Sequence, residues 1–115
     1  MGDDLQKYDV LFEITDILGR RIRTTKSYWE KIKEVKHREL KYDIEEIKIA
    51  LIEPDEIRKS VTDATILLYA KTFTKDDILI IAAKILNGSG FIVTAYQTKV
   101  YKQKGELVWP KQKIS

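Results

Sequence analysis

Apolar residues recur along this chain first with a period of two, then with a helical period, then with a period of two again. Over residues 8–14, Val10, Phe12 and Ile14 alternate with Leu11 and Glu13, which predicts a strand. Asp16 to Gly19 supplies a turn and residues 20–24 a short, basic second strand, so the N-terminal region predicts a hairpin. Thr25 or Ser27 can cap a first helix, and Glu30 stands three residues after Ser27 in capping-box spacing. At about 100° per residue, Tyr28, Trp29, Ile32 and Val35 fall on one side of that helix, and His37 lies roughly 150° from the centre of their stripe. Asp43 and Glu46 form a second capping-box pair ahead of a helix over residues 44–52. Its inner stripe is Ile44, Ile47 and Leu51, with Ala50 beside them, and Pro54 ends it.

Residues 54–60 then lead into a short strand carrying Arg58. Three strands follow in meander order: residues 65–73, a turn at Asp76 and Asp77, residues 78–86, the hairpin connector 87–90, and residues 91–99. The middle one is apolar on both faces, which predicts the centre of the sheet. Residues 100–104 extend the last strand, Gly105 turns the chain, Leu107 to Trp109 add a final short pairing, and residues 110–115 form a frayed tail. The pattern as a whole predicts an α+β fold. Two N-terminal helices pack on one face of an antiparallel meander, with an N-terminal hairpin.

Composition narrows the chemistry. A chain of 115 residues suits one domain over residues 1–115, and 43% apolar with 34% charged residues is a globular balance with enough apolar material for one core. The absence of Cys excludes a disulfide framework, a redox thiol and a thiolate zinc site. No metal site and no cofactor are expected, although carboxylates able to take Mg²⁺ are present. A net charge of +3 suits a polyanionic partner without demanding one. The N-terminus lacks a secretory layout and no apolar run approaches the roughly 20 residues of a membrane span, so a cytoplasmic protein with no membrane partner is expected.

His37 is the single histidine and so the first candidate for proton transfer near neutral pH. An idle, solvated histidine is the competing interpretation. Alternation on the last meander strand puts Thr94, Tyr96 and Thr98 on one face, opposite Phe91, Val93 and Ala95. Lys84 interrupts the apolar central strand and must either reach solvent at the sheet's end or face a polar cleft. Lys71 shares a face with Tyr69 on the neighbouring strand. Lys84, Lys71, Thr94 and Tyr96 are thus expected to converge. Trp29 and Trp109 are expected as core or cover residues.

The order of these features resembles the phage-associated branch of the Barnase–EndoU–colicin–RelE-like (BECR) nuclease fold. The matching residues are Trp29, Ile32 and His37; Pro54, Asp55, Ile57 and Arg58; Tyr69 and Lys71; Lys84; and Val93, Thr94, Ala95 and Tyr96. They span residues 19–109, with residues 1–18 as an N-terminal extension. One position departs: the family commonly carries Pro after the histidine, and Arg38 stands here.

The resemblance implies a small, toxin-like, metal-independent endoribonuclease acting on RNA and met by a protein inhibitor. In such chemistry the ribose 2′-OH attacks the adjacent phosphorus. An acid, a base and cations for the phosphorane are required. The resemblance casts His37, Lys84 and Arg58 as catalytic and Lys71, Thr94 and Tyr96 as substrate-binding. With one His, the second proton-transfer group would be a Lys, a Tyr or a carboxylate. A non-catalytic RNA- or protein-binding module on the same scaffold is the alternative, and a metal-dependent nuclease using Asp76 and Asp77 a third.

Overall fold

The computed structural model describes residues 9–36 and 39–110. The elements are β1 (Val10–Thr15), β2 (Arg21–Thr25), α1 (Lys26–Lys31), α2 (Ile44–Ile52), β3 (Glu56–Lys59), β4 (Ile66–Thr74), β5 (Asp77–Leu86), β6 (Ser89–Thr98) and β7 (Leu107–Trp109). The class is α+β, with a seven-stranded, mostly antiparallel sheet in the order β1-β2-β6-β5-β4-β3-β7. The expected meander is present as β4-β5-β6, and β5 occupies the middle of the sheet. Among the described residues no helix is long and apolar enough to cross a membrane.

The sheet is more than a meander. β2 runs parallel to β6, pairing Arg21–Arg23 with Ser89–Phe91, and so docks the N-terminal hairpin on the meander's edge. Gly90 permits this close approach, since a Cβ there would lie 2.6 Å from Ile85 Cδ1, 2.9 Å from the Lys84 carbonyl and 3.0 Å from Ile22 Cδ1. At the other edge β7 pairs with β3.

Both helix starts follow from local hydrogen bonding. The Thr25 hydroxyl accepts the Tyr28 N–H at 3.2 Å and caps α1, while Ser27 instead donates to Asp9. Asp43 and Glu46 form the expected capping box of α2. The end of the first helix differs from expectation. From Ile32 to Lys36 the chain takes a π-helical turn, whose i→i+5 bonding inserts an extra residue per turn. The wheel is rotated from that point, and Val35 is exposed rather than on the apolar stripe. Trp29 and Ile32 remain buried.

The core cluster joins Trp29, Ile32, Ile47 and Leu51 to Ile22, Ile57, Leu67, Tyr69, Leu79, Ile81 and Ile92 of the sheet. Trp109 lies partly buried against it, as a cover residue. One ionisable group belongs to this interior. Asp16 is 5% exposed. One of its oxygens accepts the Leu18 and Arg20 N–H groups at 2.9 and 2.8 Å; the other accepts the hydroxyl of the fully buried Tyr69. Burial first, and the carboxylate second, push the Tyr69 pKa far above its ordinary value of 10.0. The turn of the N-terminal hairpin is thereby fastened to β4.

Candidate functional site

Cross-strand partners share a face of an antiparallel sheet, so the register assigns every candidate. Ile57 with Tyr69 and Ile81 marks the core face, and the intervening residues mark the opposite one. On that opposite face Arg58 pairs with Leu68, Leu68 with Ala82 and Ala82 with Thr94. The adjacent row runs Glu56, Ala70, Ile80, Tyr96. A third row sets Ile66 against Lys84 and Lys84 against Phe91.

Lys84, Thr94, Tyr96 and Arg58 therefore occupy one face. Lys71 does not. It follows Tyr69 onto the core face, where its ammonium lies 3.9 Å from an Asp55 oxygen. The convergence expected of Lys71 with the other three is corrected accordingly: sharing parity with Tyr69 takes it to the side away from Lys84.

A second correction concerns Phe91. Between the Ala82–Thr94 and Ala83–Ile92 pairs, β6 holds one extra residue, Val93. This bulge reverses the alternation upstream of it, so Phe91 shares the face of Lys84, Thr94 and Tyr96 instead of opposing them.

His37 and Arg38 lie outside the described residues, and so do the geometry and partners of the candidate proton-transfer group. The chain on either side is fastened to β6. Lys36 Nζ and the Tyr28 hydroxyl each donate to the Val93 carbonyl, at 2.8 and 3.0 Å. The same ammonium lies 2.8 Å from the Tyr28 hydroxyl and 4.9 Å from the centre of its ring. Beyond the gap, the Lys41 N–H donates to Gln97 Oε1 at 2.9 Å, and the Lys41 ammonium pairs with Asp77. That pairing raises the Lys41 pKa and lowers that of Asp77.

Around Lys84 the geometry is compact. Lys84 stands two residues along β5 from Ala82, whose partner on β6 is Thr94, so the two share a face on neighbouring strands. The Thr94 hydroxyl is buried and has no hydrogen-bond partner among the described residues. Lys84 Nζ donates to Asp63 Oδ2 at 3.1 Å, while the other Asp63 oxygen accepts the Thr65 hydroxyl at 2.6 Å and the Thr65 N–H at 2.9 Å. The Thr65 hydroxyl first, its N–H second and Lys84 third hold the Asp63 pKa down at about 2. Asp63 is ionised at neutral pH, and an incoming anion would compete with it for Lys84.

Arg58 sits in a different cluster. Residues 99–106 carry the chain from β6 to β7 past β5, β4 and β3, and their contacts with Arg58 and Glu56 lie on this face. Arg58 Nε lies 2.5 Å from Glu56 Oε2, its Nη1 donates to the Gly105 carbonyl at 2.9 Å, and Gln103 donates to Glu56 Oε1 at 2.8 Å. Tyr101, near Glu56 and Tyr96, is pushed well above pH 10 by burial and by the Glu56 charge. Burial likewise raises Tyr96 from 10.0. Both phenols are therefore protonated at neutral pH and act as hydrogen-bond groups, not as bases.

Sequence reasoning missed two carboxylates. Asp63 lies in the loop before β4, and no periodicity marks a loop residue as a lysine's partner. Glu56 has the same parity as Arg58, and that signal was available once β3 was predicted. Among the described residues no group of three His, Cys, Asp or Glu side chains is placed to hold a metal ion. Comparison of the chain with protein-family models, with curated proteins and with solved structures finds no match.

Proposed function

We propose that this chain is a small metal-independent endoribonuclease of the BECR type, toxin-like and cytoplasmic, with RNA as substrate and a protein inhibitor as partner. The fold reading that goes with it is two helices side by side on one face of the sheet, with substrate lying over the edge of β6, between that face and the one that carries Lys84. The observation that carries the proposal is the fastening of the chain around His37. Its described neighbours are tied to β6 at the Val93 carbonyl and at Gln97, which pairs with Leu79 on the core face, so they hold the edge of the strand whose other face carries Thr94 and Tyr96.

In the proposed mechanism the 2′-OH of one nucleotide attacks the adjacent phosphorus, and the 5′-oxygen leaves with a proton. The products are a 2′,3′-cyclic phosphate and a free 5′-hydroxyl. His37 serves one proton transfer. Lys84, displaced from Asp63, neutralises the phosphorane, and the buried Thr94 hydroxyl, without a partner among the described residues, donates to a phosphoryl oxygen. Tyr96, protonated, donates to phosphate or ribose. Arg58 adds positive charge from the neighbouring cluster, and Glu56 beside it is the carboxylate offered for the second proton transfer. Lys71 has no part in this site.

The test is cleavage of single-stranded RNA in EDTA by the wild type, His37→Ala and Lys84→Ala. Loss of one cation at a developing phosphorane costs about 10²–10³ in kcat. Cyclic-phosphate ends from the wild type and losses of that size in both variants are expected. Unchanged cleavage in the two variants refutes the assignment, and activity restored only by Mg²⁺ points to metal chemistry. Tight RNA binding without product favours the alternative, a binding module on the same scaffold.

A further inference from the structure

β2 and β6 pair only as far as Arg23 and Phe91, and beyond them the two strands diverge. β2 turns into α1, while β6 enters its bulge. The wedge between them holds a cavity of about 470 Å³, lined by Val10, Arg23, Thr24, Thr25, Tyr28 and Phe91 among others. Tyr28 reaches across its far end to the Val93 carbonyl. Thr24 in its wall is 2% exposed, and its hydroxyl has no partner among the described residues.

The cavity opens beside the site described above. Arg23 pairs with Phe91 and Phe91 with Lys84, so the three form one row on the same sheet face: cation, aromatic ring, cation. Phe91 is 39% exposed, unusual for a phenylalanine in the interior of a sheet. Arg23 is exposed and, although Glu13 is its partner on β1, forms no ion pair among the described residues. An apolar occupant such as an acyl chain would leave both cations unused. A single-stranded nucleic acid uses all three groups, a base on the ring and phosphates on the charges. Stacking of this kind is tolerant of base identity, because every base has a π-face.

We propose that the β2–β6 wedge is a base-binding subsite for single-stranded RNA, in which a nucleobase stacks on Phe91 between phosphates held by Arg23 and Lys84. The subsite deepens the ribonuclease reading and rests on it for its substrate class. It gives the site a preference for unpaired RNA, since bases inside a duplex cannot be offered to Phe91.

The experiment uses a labelled hexaribonucleotide with 2′-O-methyl groups, which blocks 2′-OH attack and separates binding from cleavage. Affinity is compared with that of the same 2′-O-methyl backbone carrying abasic positions. The wild type is expected to bind the base-bearing strand about 5- to 150-fold more tightly, the range of one stacked base. Phe91→Leu should erase that difference and Phe91→Trp should keep it. Arg23→Gln should weaken both strands alike and reduce the slope of log K against log salt by about 0.7. Equal affinity of the wild type for the two strands, or no binding of either, overturns the subsite. That arm needs no variant to fold. Cleavage of the unmodified hexamer is scored in parallel. Cleavage without base preference removes the subsite alone, and base preference without cleavage removes the ribonuclease reading alone.

Discussion

Replacing Tyr69 by Phe deletes one oxygen and leaves the ring volume unchanged, so no cavity term enters. The lost oxygen donates to Asp16, a carboxylate 5% exposed, within a residue pair that has no other access to solvent. A hydrogen bond to a charged group contributes about 1.5–3 kcal/mol, and a buried oxygen left without its donor adds to the loss. Asp16 keeps the Leu18 and Arg20 amides on its other oxygen, which limits the damage. The expected cost is therefore about 2–4 kcal/mol, a large share of the 5–15 kcal/mol typical of a domain. At about 3–5 °C per kcal/mol for a chain of this size, Tm should fall by roughly 6–20 °C. Urea unfolding at pH 7 measures the change directly.

The same tyrosine predicts an alkaline signature. Its folded pKa is raised above the unfolded 10.0, so its contribution is full below pH 10 and is lost progressively as pH rises beyond that point. In Tyr69→Phe that component of the alkaline decline should vanish. A double-mutant cycle with Asp16→Asn should give a coupling of at least 1 kcal/mol. A loss below about 0.5 kcal/mol at pH 7, with an unchanged alkaline limb, would refute the view that the hydroxyl holds the buried carboxylate.

Gly105→Ala should destabilise by more than about 2 kcal/mol, because Gly105 has φ +89° and a Cβ there would lie 2.0 Å from the Lys59 carbonyl oxygen; thermal unfolding checks it. Asp43→Ala removes the α2 cap and should cost about 1 kcal/mol by denaturant titration, where Ser27→Ala, which caps nothing, should not match it. Asp63→Asn should raise the affinity of single-stranded RNA several-fold by releasing Lys84, measured at fixed salt. Because the Asp63 pKa falls from 3.8 to about 2 on folding, its contribution is present above pH 4 and lost as pH falls through 2, and the Asn variant should flatten that part of the acid limb.

Period and parity carried most of the fold. The strand over residues 78–86 was apolar on both faces because it is the middle of seven strands, and the Asp43–Glu46 spacing marked α2 because its capping box is made of adjacent residues. What escaped depends on one residue more or less. A single inserted residue, Val93, moved Phe91 to the other face. A π-helical turn at Ile32 moved Val35 into solvent. Neither shift has a compositional mark, since Val and Ile suit a regular element as well as a bulged one. Long-range pairing was equally hidden: no local pattern selects β6 as the parallel neighbour of β2. Within the site, parity alone put Thr94 beside Tyr96, and placed Lys71 with Tyr69, but the burial of that side beneath the core was not readable from alternation. The carboxylate partners of Lys84 and Arg58 come from a loop and a short strand whose positions tertiary structure decides.

The parallel pairing of β2 with β6 also orders events in time. Ribosomal synthesis delivers Arg21–Arg23 well before Ser89–Phe91, and the two cannot meet until β4, β5 and β6 have been made. The meander closes through short turns, whereas the hairpin must wait for a distant edge, with the loop-closure cost that such separation carries. The wedge that holds Arg23 and Phe91 thus forms only after the meander, later than any contact within the N-terminal hairpin. Until β6 has been made and docked, a nascent chain lacks the wedge, however complete its N-terminal hairpin is.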